Sequence, residues 1–420
     1  MTLLHGIGSR SDLPLPFWLV ITAAAIILVI SVVIVAYAWQ EPKWQQVGGK
    51  PVPRLQAVVW SPAVTLVGRL AALVVFMLAW LGILAGQDLL TNPAFGYVFV
   101  LCWVGLVPVS LLLGNVWQSW NVAQLIPVRK TGPVEAGVWP AAVALFAFEF
   151  FELVQPDRAT LPVLRVWAIL WLIWLIVWWL LMGRRRLAGY EPFTAYAKLL
   201  SQLAPWHGAS GRLLLVNPVR KAATWEASPG TWAVGVVLLA GTAFDSLSSG
   251  SAWVQFVQNS ALPRLVWDTL GLLGVTAIVA ASFTLAARLT VPAKGVVNHL
   301  GSTLAPIVAG YAIAHYGTLL LLEGQRTLGQ LSDPLGLGWN LLGTSNWAVN
   351  ASLASYPTLI ASLQVLAIIT GHVLGVILAH ERTLQLAGAT SRGAAIRSQI
   401  PMTVCMVGYT ICGLLLLFAS

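Results

Sequence analysis

Charge is what this chain has least of. Of its 420 residues only 9% are Asp, Glu, Lys or Arg, while 58% are hydrophobic. Soluble domains carry about 25% charged residues, so this composition cannot cover an ordinary water-facing surface. Cysteine is scarce as well. Cys102, Cys405 and Cys412 all fall within apolar runs, and their spacing suits neither a disulfide framework nor a zinc site. Also missing are a P-loop, a G-x-S-x-G elbow, an HExxH helix and a CxxC pair. Neither a nucleotide-driven pump nor a common hydrolase is therefore supported. The formal net charge of +9 sits at the ends of apolar runs rather than on one face. That distribution reads as membrane anchoring and argues against nucleic acid as a partner.

What is abundant is long apolar sequence. Helices are predicted at 14–38, 62–85, 95–113, 137–155, 162–182, 230–246, 264–289, 301–322, 358–380 and 399–419. Each is long enough, or nearly so, to cross a hydrocarbon core of about 30 Å at about 1.5 Å per residue. The fold class is an all-α integral membrane protein of about ten transmembrane helices, with residues 1–420 forming one polytopic domain. The first run is far longer than the apolar core of a signal peptide. Basic residues then set an orientation. Lys43, Lys50 and Arg54 follow the first span, Arg129 and Lys130 the third, Arg184, Arg185 and Arg186 the fifth, Arg288 and Lys294 the seventh, and Arg382, Arg392 and Arg397 the ninth. All share one side if both termini lie outside a cell (plasma or inner) membrane.

Two connections have character of their own. Within 183–229, Phe193, Tyr196, Leu199, Leu200 and Leu203 share one helical face, which predicts an interfacial amphipathic helix lying on the headgroups. The outer connection 323–357 mixes Gly, Asn and Ser with apolar residues and reads as a cap over the outer mouth. A parallel internal repeat is also visible. Trp139 precedes Glu152 by thirteen residues, and Trp232 precedes Asp245 by the same interval; LPVLRVW and LPRLVW then open the following spans. Helices 4–5 thus match helices 6–7, placing Glu152 and Asp245 at equivalent outer ends, where they could form a carboxylate ring at a pore mouth.

The segments HGIGSRSDLPLPFW, GNVWQSWN and SDPLGLGWNLLGT resemble an uncharacterised family of bacterial polytopic membrane proteins. The resemblance implies a membrane bundle and carries no activity and no site residue.

The candidate chemistry lies in ionisable residues at graded depth: Glu152, Glu149, His315, His372 and His380, with Asp245 and Arg69 in other spans. A charged group at a bilayer centre costs at least about 2.5 kcal/mol, so such residues face the bundle interior or a wet cavity. Glu149 and Glu152 are three apart and share a helix face, where two close carboxylates resist joint ionisation. His315 lies roughly 10 Å below the outer end of its span and His372 roughly 20 Å. Gly371 and Gly375 frame His372 as a GxxxG. Against each stands the plainer reading of a side chain making one interhelical hydrogen bond.

The ladder favours a proton- or cation-coupled permease or secondary transporter moving a small solute or ion, rather than an enzyme, with no resident cofactor expected. The alternative is a redox or metal-handling subunit in which His315 and His372, helped by Glu149, hold haem, copper or another metal. The tryptophans of the fifth span, Trp167 to Trp179, suit a lipid-facing stripe better than a quinone, pigment or sterol site.

Overall fold

A computed structural model describes residues 13–121, 135–387 and 392–418. Arg10, the Arg129–Lys130 pair and most of the opening HGIGSRSDLPLPFW lie outside them. The principal helices are α1 (Phe17–Ala38), α2 (Pro62–Ala85), the bent α3 (Pro93–Cys102 with Leu106–Leu113), the short α4 (Val116–Trp120), α5 (Trp139–Leu153), α6 (Leu161–Met182), α7 (Pro192–Leu200), α8 (Pro218–Thr224), α9 (Thr231–Ser249), α10 (Arg264–Thr290), α11 (Leu304–Gln330), α12 (Pro357–Ala387) and α13 (Arg392–Leu417). Eight helices among the described residues are long and apolar enough to cross a membrane, and α3 makes a ninth if its two segments form one span. These helices fit a multi-pass membrane protein.

Local sequence explains the ends and the break. Proline opens α2, α5, α6, α7 and α8, where a missing N–H costs nothing. Ser61 and Asn217 cap α2 and α8 through their side chains. The two parts of α3 meet at 43°, between the π-turn Tyr97–Cys102 and Pro108. Gly105 there donates to Val100, five residues back, and Pro108 has no N–H for the carbonyl of Val104. The predicted span at 137–155 is realised as the 15-residue α5, below the length of an ordinary crossing helix.

The chain forms two compact units. Of the described residues, the first comprises Gly49–Val216 and Tyr316–Ser352, the second Leu13–Gly48, Asn217–His315 and those from Leu353 onward. Helix α11 changes unit after His315. Apolar runs look alike in sequence and do not say which helix packs on which. In the first unit, α2 carries outward-facing Leu66, Val67, Leu70 and Met77, and α6 does the same with Ile169, Leu170, Ile173 and Ile176. Arg165 of α6 caps the end of α2 by donating to the carbonyls of Ile83 (2.6 Å) and Gly86 (3.2 Å). Asp88 returns the favour at the start of α6, accepting from the Leu161 N–H at 3.0 Å. A small antiparallel sheet, β1 (Lys50–Pro51), β2 (Trp206–Ala209) and β3 (Arg212–Leu215), has the order β1–β3–β2.

Helix α7 corrects a sequence expectation. Its apolar face is not left uncovered: Pro192, Phe193, Thr194, Ala195, Tyr196, Ala197, Leu199 and Leu200 are all buried. Its expected polar face is built from Thr194, Ala195 and Ala197, small enough to pack against α3 and α5. The connection 323–357 begins as the last turns of α11, then folds around Asp333, whose carboxylate accepts from the N–H groups of Leu337 (2.9 Å) and Gly338 (2.7 Å). Burial opposes ionisation of Asp333, but these backbone donors outweigh it and hold the carboxyl below its usual range. Beyond it Leu337, Trp339, Leu341, Leu342 and Trp347 point outward, a composition suited to the bilayer interface.

In the second unit, α9 is buried along most of its length and packs along α10, while α1, α12 and α13 pack on one another. The repeat remains a pattern of sequence. Helices α5 and α6 belong to one unit and α9 and α10 to the other, and the main neighbour of α5 is α7 rather than α6.

Candidate functional site

Helix α9 must be apolar to pack in the centre of its unit, yet it ends in Asp245–Ser246. Both side chains are buried. Helix α11 meets them with Tyr311 and His315, one turn apart and therefore on one face. His315 Nε2 lies 3.0 Å from Asp245 Oδ2, and its Nδ1 lies 3.3 Å from Ser246 Oγ. Ser246 Oγ lies in turn 3.1 Å from Tyr311 Oη. The result is an unbroken chain from carboxylate to imidazole to hydroxyl to phenol.

Its groups alternate so that the chain can be polarised either way. With Asp245 ionised, Nε2–H donates to the carboxylate, and Nδ1 accepts from Ser246, which accepts from Tyr311. With Asp245 protonated, the carboxyl donates to Nε2, Nδ1–H donates to Ser246 and Ser246 donates to Tyr311. Moving one proton at each link turns the first into the second only if Tyr311 takes up a replacement proton from outside the chain, so the two states differ by one proton that enters at the phenol and is held at Asp245. Asp245 is thus the partner of His315.

The other predicted residues are distributed as follows. His372 is buried in α12; its Nδ1 lies 2.8 Å from the Ile368 carbonyl, which fixes the proton there. Nε2 is then an acceptor, buried and without a partner among the described residues. Gly371 brings α12 against the Pro306 and Gly310 backbone of α11. The Gln364 side chain donates to the Ala314 carbonyl at 2.9 Å, next to His315. Two turns beyond His372, His380 touches Gln399 Oε1 at 2.6 Å through Nδ1 and the Trp39 carbonyl at 2.7 Å through Nε2. It lines a small pocket with Thr383 and Gln399, whose Oγ1 and Nε2 are buried and without partners among the described residues. Such a pocket suits a water. Neighbouring Glu381 accepts from the backbone N–H groups of Lys43 and Trp44, so the C-terminal end of α12 is held to the segment after α1.

In the first unit, Glu149 is buried, with neither carboxylate oxygen hydrogen-bonded among the described residues. Glu152 is within Coulombic reach, as expected from the three-residue spacing, and so is the Tyr196 phenol of α7. Arg69 is a correction. It is exposed on the outside of α2 and donates to the Ser119 carbonyl at 3.2 Å, a long side chain anchoring itself by a helix end.

No group of three His, Cys, Asp or Glu side chains among the described residues is placed to hold a metal ion. Both ring nitrogens of His315 already have partners, so a metal there would displace Asp245 or Ser246.

Sequence reasoning missed Ser246, and it missed a second polar cluster around Glu191. That carboxylate caps α7, accepting from the N–H groups of Phe193 (3.1 Å) and Thr194 (2.7 Å), from the Thr194 hydroxyl, from Trp117 Nε1 (3.3 Å) and from Asn121 Nδ2 (3.2 Å). The Glu–Pro pair at the helix start was a signal for the cap. Nothing in the sequence linked it to Trp117 and Asn121, roughly seventy positions away. Comparison with protein-family models, with curated proteins and with solved structures returns no match.

Proposed function

We propose that the chain is a proton-coupled secondary transporter of a cell membrane, in which Asp245 and His315 carry the coupling proton. The observation behind this reading is the hydrogen-bonded chain Asp245–His315–Ser246–Tyr311, buried between two helices. A buried ionisable pair inside a membrane protein is expensive, and proton relay is a common reason to keep one. His372 and His380 extend the series along α12, separated by eight residues or about 12 Å of helix. Their orphaned acceptor and small polar pocket suit bridging water. Glu149 would titrate in the first unit. The test is reconstitution into vesicles carrying an internal pH dye, challenged with a panel of solutes that includes organic cations. Solute-dependent pH changes are expected. Solute uptake in the wild type that neither moves protons nor responds to a pH gradient would sink the reading.

The topology belongs to the same proposal: ten spans, counting α5 and the bent α3, with both termini outside. Cysteine accessibility labelling at positions 45, 205 and 388 is expected to report the inner side, and at 90, 255 and 335 the outer. One clear reversal would undo the order of depths on which the relay rests.

A further inference from the structure

The first unit holds a pocket that the relay does not use. It opens among α2, α3, α4, α6 and α7, and aromatic rings dominate its wall, among them Phe76, Trp80, Trp117, Trp120, Trp171 and Phe193. The rings are mutually braced: Trp80 and Trp171 lie 6.2 Å apart between centroids, and Trp167 and Trp171 6.4 Å. Gly68 makes room for Trp120, since a Cβ there would come within 2.5 Å of the indole. No lysine or arginine lines the pocket among the described residues. Immediately behind the wall is Glu191, fully buried, with Trp117 and Asn121 reaching from the pocket lining to its carboxylate.

Glu191 accepts hydrogen bonds from neutral groups only, and no basic side chain pairs with it among the described residues. A buried carboxylate without a counter-charge is costly in its ionised form. Aromatic faces carry negative potential and attract cations, most strongly when desolvated. We infer that this pocket binds a lipophilic organic cation, of the quaternary ammonium class, whose charge rests on the aromatic faces and is balanced by Glu191. A quaternary ammonium headgroup has no N–H to donate, which matches a wall made mostly of aromatic rings. As the identity of a transported substrate, this rests on the transporter reading; as a binding site it does not.

A proton should compete with such a ligand. Burial raises the Glu191 carboxyl above its ordinary value, with the bonds from Thr194, Trp117 and Phe193 opposing it. The other titratable groups in its field are Tyr97 and Cys102 of α3 and the adjacent Tyr190, phenols and a thiol that carry no charge at neutral pH. Pocket pH dependence therefore belongs to Glu191. A cation favours its ionised form, so affinity should rise with pH and level off once the carboxyl is ionised without help.

The probe is benzyltrimethylammonium, compared with its uncharged carbon counterpart neopentylbenzene. Binding is measured on the purified full chain in detergent by tryptophan fluorescence and calorimetry, with no gradient present. Saturable binding of the cation is expected, tighter at pH 8 than at pH 5. It should weaken at least about tenfold in Glu191→Gln, because one desolvated charge is removed. Trp171→Leu should weaken it too, whereas Trp18→Leu, on the exposed face of α1, should not. If Glu191→Gln lowers the melting temperature, the Trp171 and Trp18 pair decides. No saturable binding would overturn the inference, as would equal affinity for neopentylbenzene or unchanged affinity in a folded Glu191→Gln. Failure to bind leaves proton coupling standing. Binding without pH-driven movement of the same cation into vesicles would keep the site and remove the cation as the transported substrate.

Discussion

Asp245→Asn is expected to reduce proton-coupled flux by about a hundredfold or more, the scale of losing a positioned proton-transfer group. The substitution is nearly isosteric and keeps an acceptor for His315 Nε2, now 3.0 Å from the carboxylate. It removes the ability to hold a proton at that end of the chain. His315→Gln should match it, since the imidazole is the link between Asp245 and Ser246. If both act in one relay, the double variant should be no worse than either single one, because members of a unit are not additive. Ser246→Ala separates relay from packing. It cuts the link from Nδ1 toward Tyr311 without touching the Asp245–His315 contact. A loss of about tenfold or more is expected, with the melting temperature lowered only by the loss of the Ser246 Oγ contacts to Thr242, Tyr311 and His315. Wild-type flux in Asp245→Asn would dismiss the relay, whatever the protein transports.

That relay shows where sequence reading succeeds and where it stops. Asp245 and His315 were both visible as ionisable residues within apolar runs, because hydropathy exposes any charge that hydrocarbon would penalise. Their partnership was not visible, since they lie 70 residues apart and pairing depends on which helices adjoin. The repeat instead set Asp245 beside Glu152, which lies in the other unit. The relation of Glu149 to Glu152 was legible because it is local, one turn of one helix. The apolar runs gave the fold class for the same local reason. They overstated α5, whose 15 residues are extended in sequence by flanks that do not continue the helix. Helix α7 failed differently: its periodic face suggested an interface, but small residues opposite it allowed burial on all sides. Arg69 looked buried because its neighbours are apolar, and lipid-facing helices have apolar neighbours too.

The GxxxG around His372 was also legible, and it carries the largest expected structural effect. A Cβ added at Gly371 would sit 2.4 Å from the Pro306 carbonyl oxygen and 3.2 Å from the Gly310 Cα. Reciprocally, a Cβ at Gly310 would meet the Ala367 carbonyl oxygen at 2.4 Å. Those obstacles are backbone, so no rotamer change relieves them; the helices must separate. Overpacking costs about 1–3 kcal/mol even where side chains can adjust, so Gly371→Ala should fall at or above that range. Gly371→Val should leave little folded protein in detergent, read as loss of the monodisperse peak and of a cooperative melt. Gly274→Ala is the control. Nothing lies within 4 Å of a Cβ there, and alanine is the better helix former by up to about 1 kcal/mol, so its melting temperature should hold or rise. The crossing also sets function, because Gly371 adjoins His372 and Gly310 precedes His315 by little more than one turn. Spreading α11 from α12 would shift both histidines. Any Gly371→Ala protein that folds should therefore lose flux while Gly274→Ala keeps it. Equal melting temperatures for the two alanine variants would show that the helices do not cross at these glycines, and the placement of both histidines would fall with that crossing.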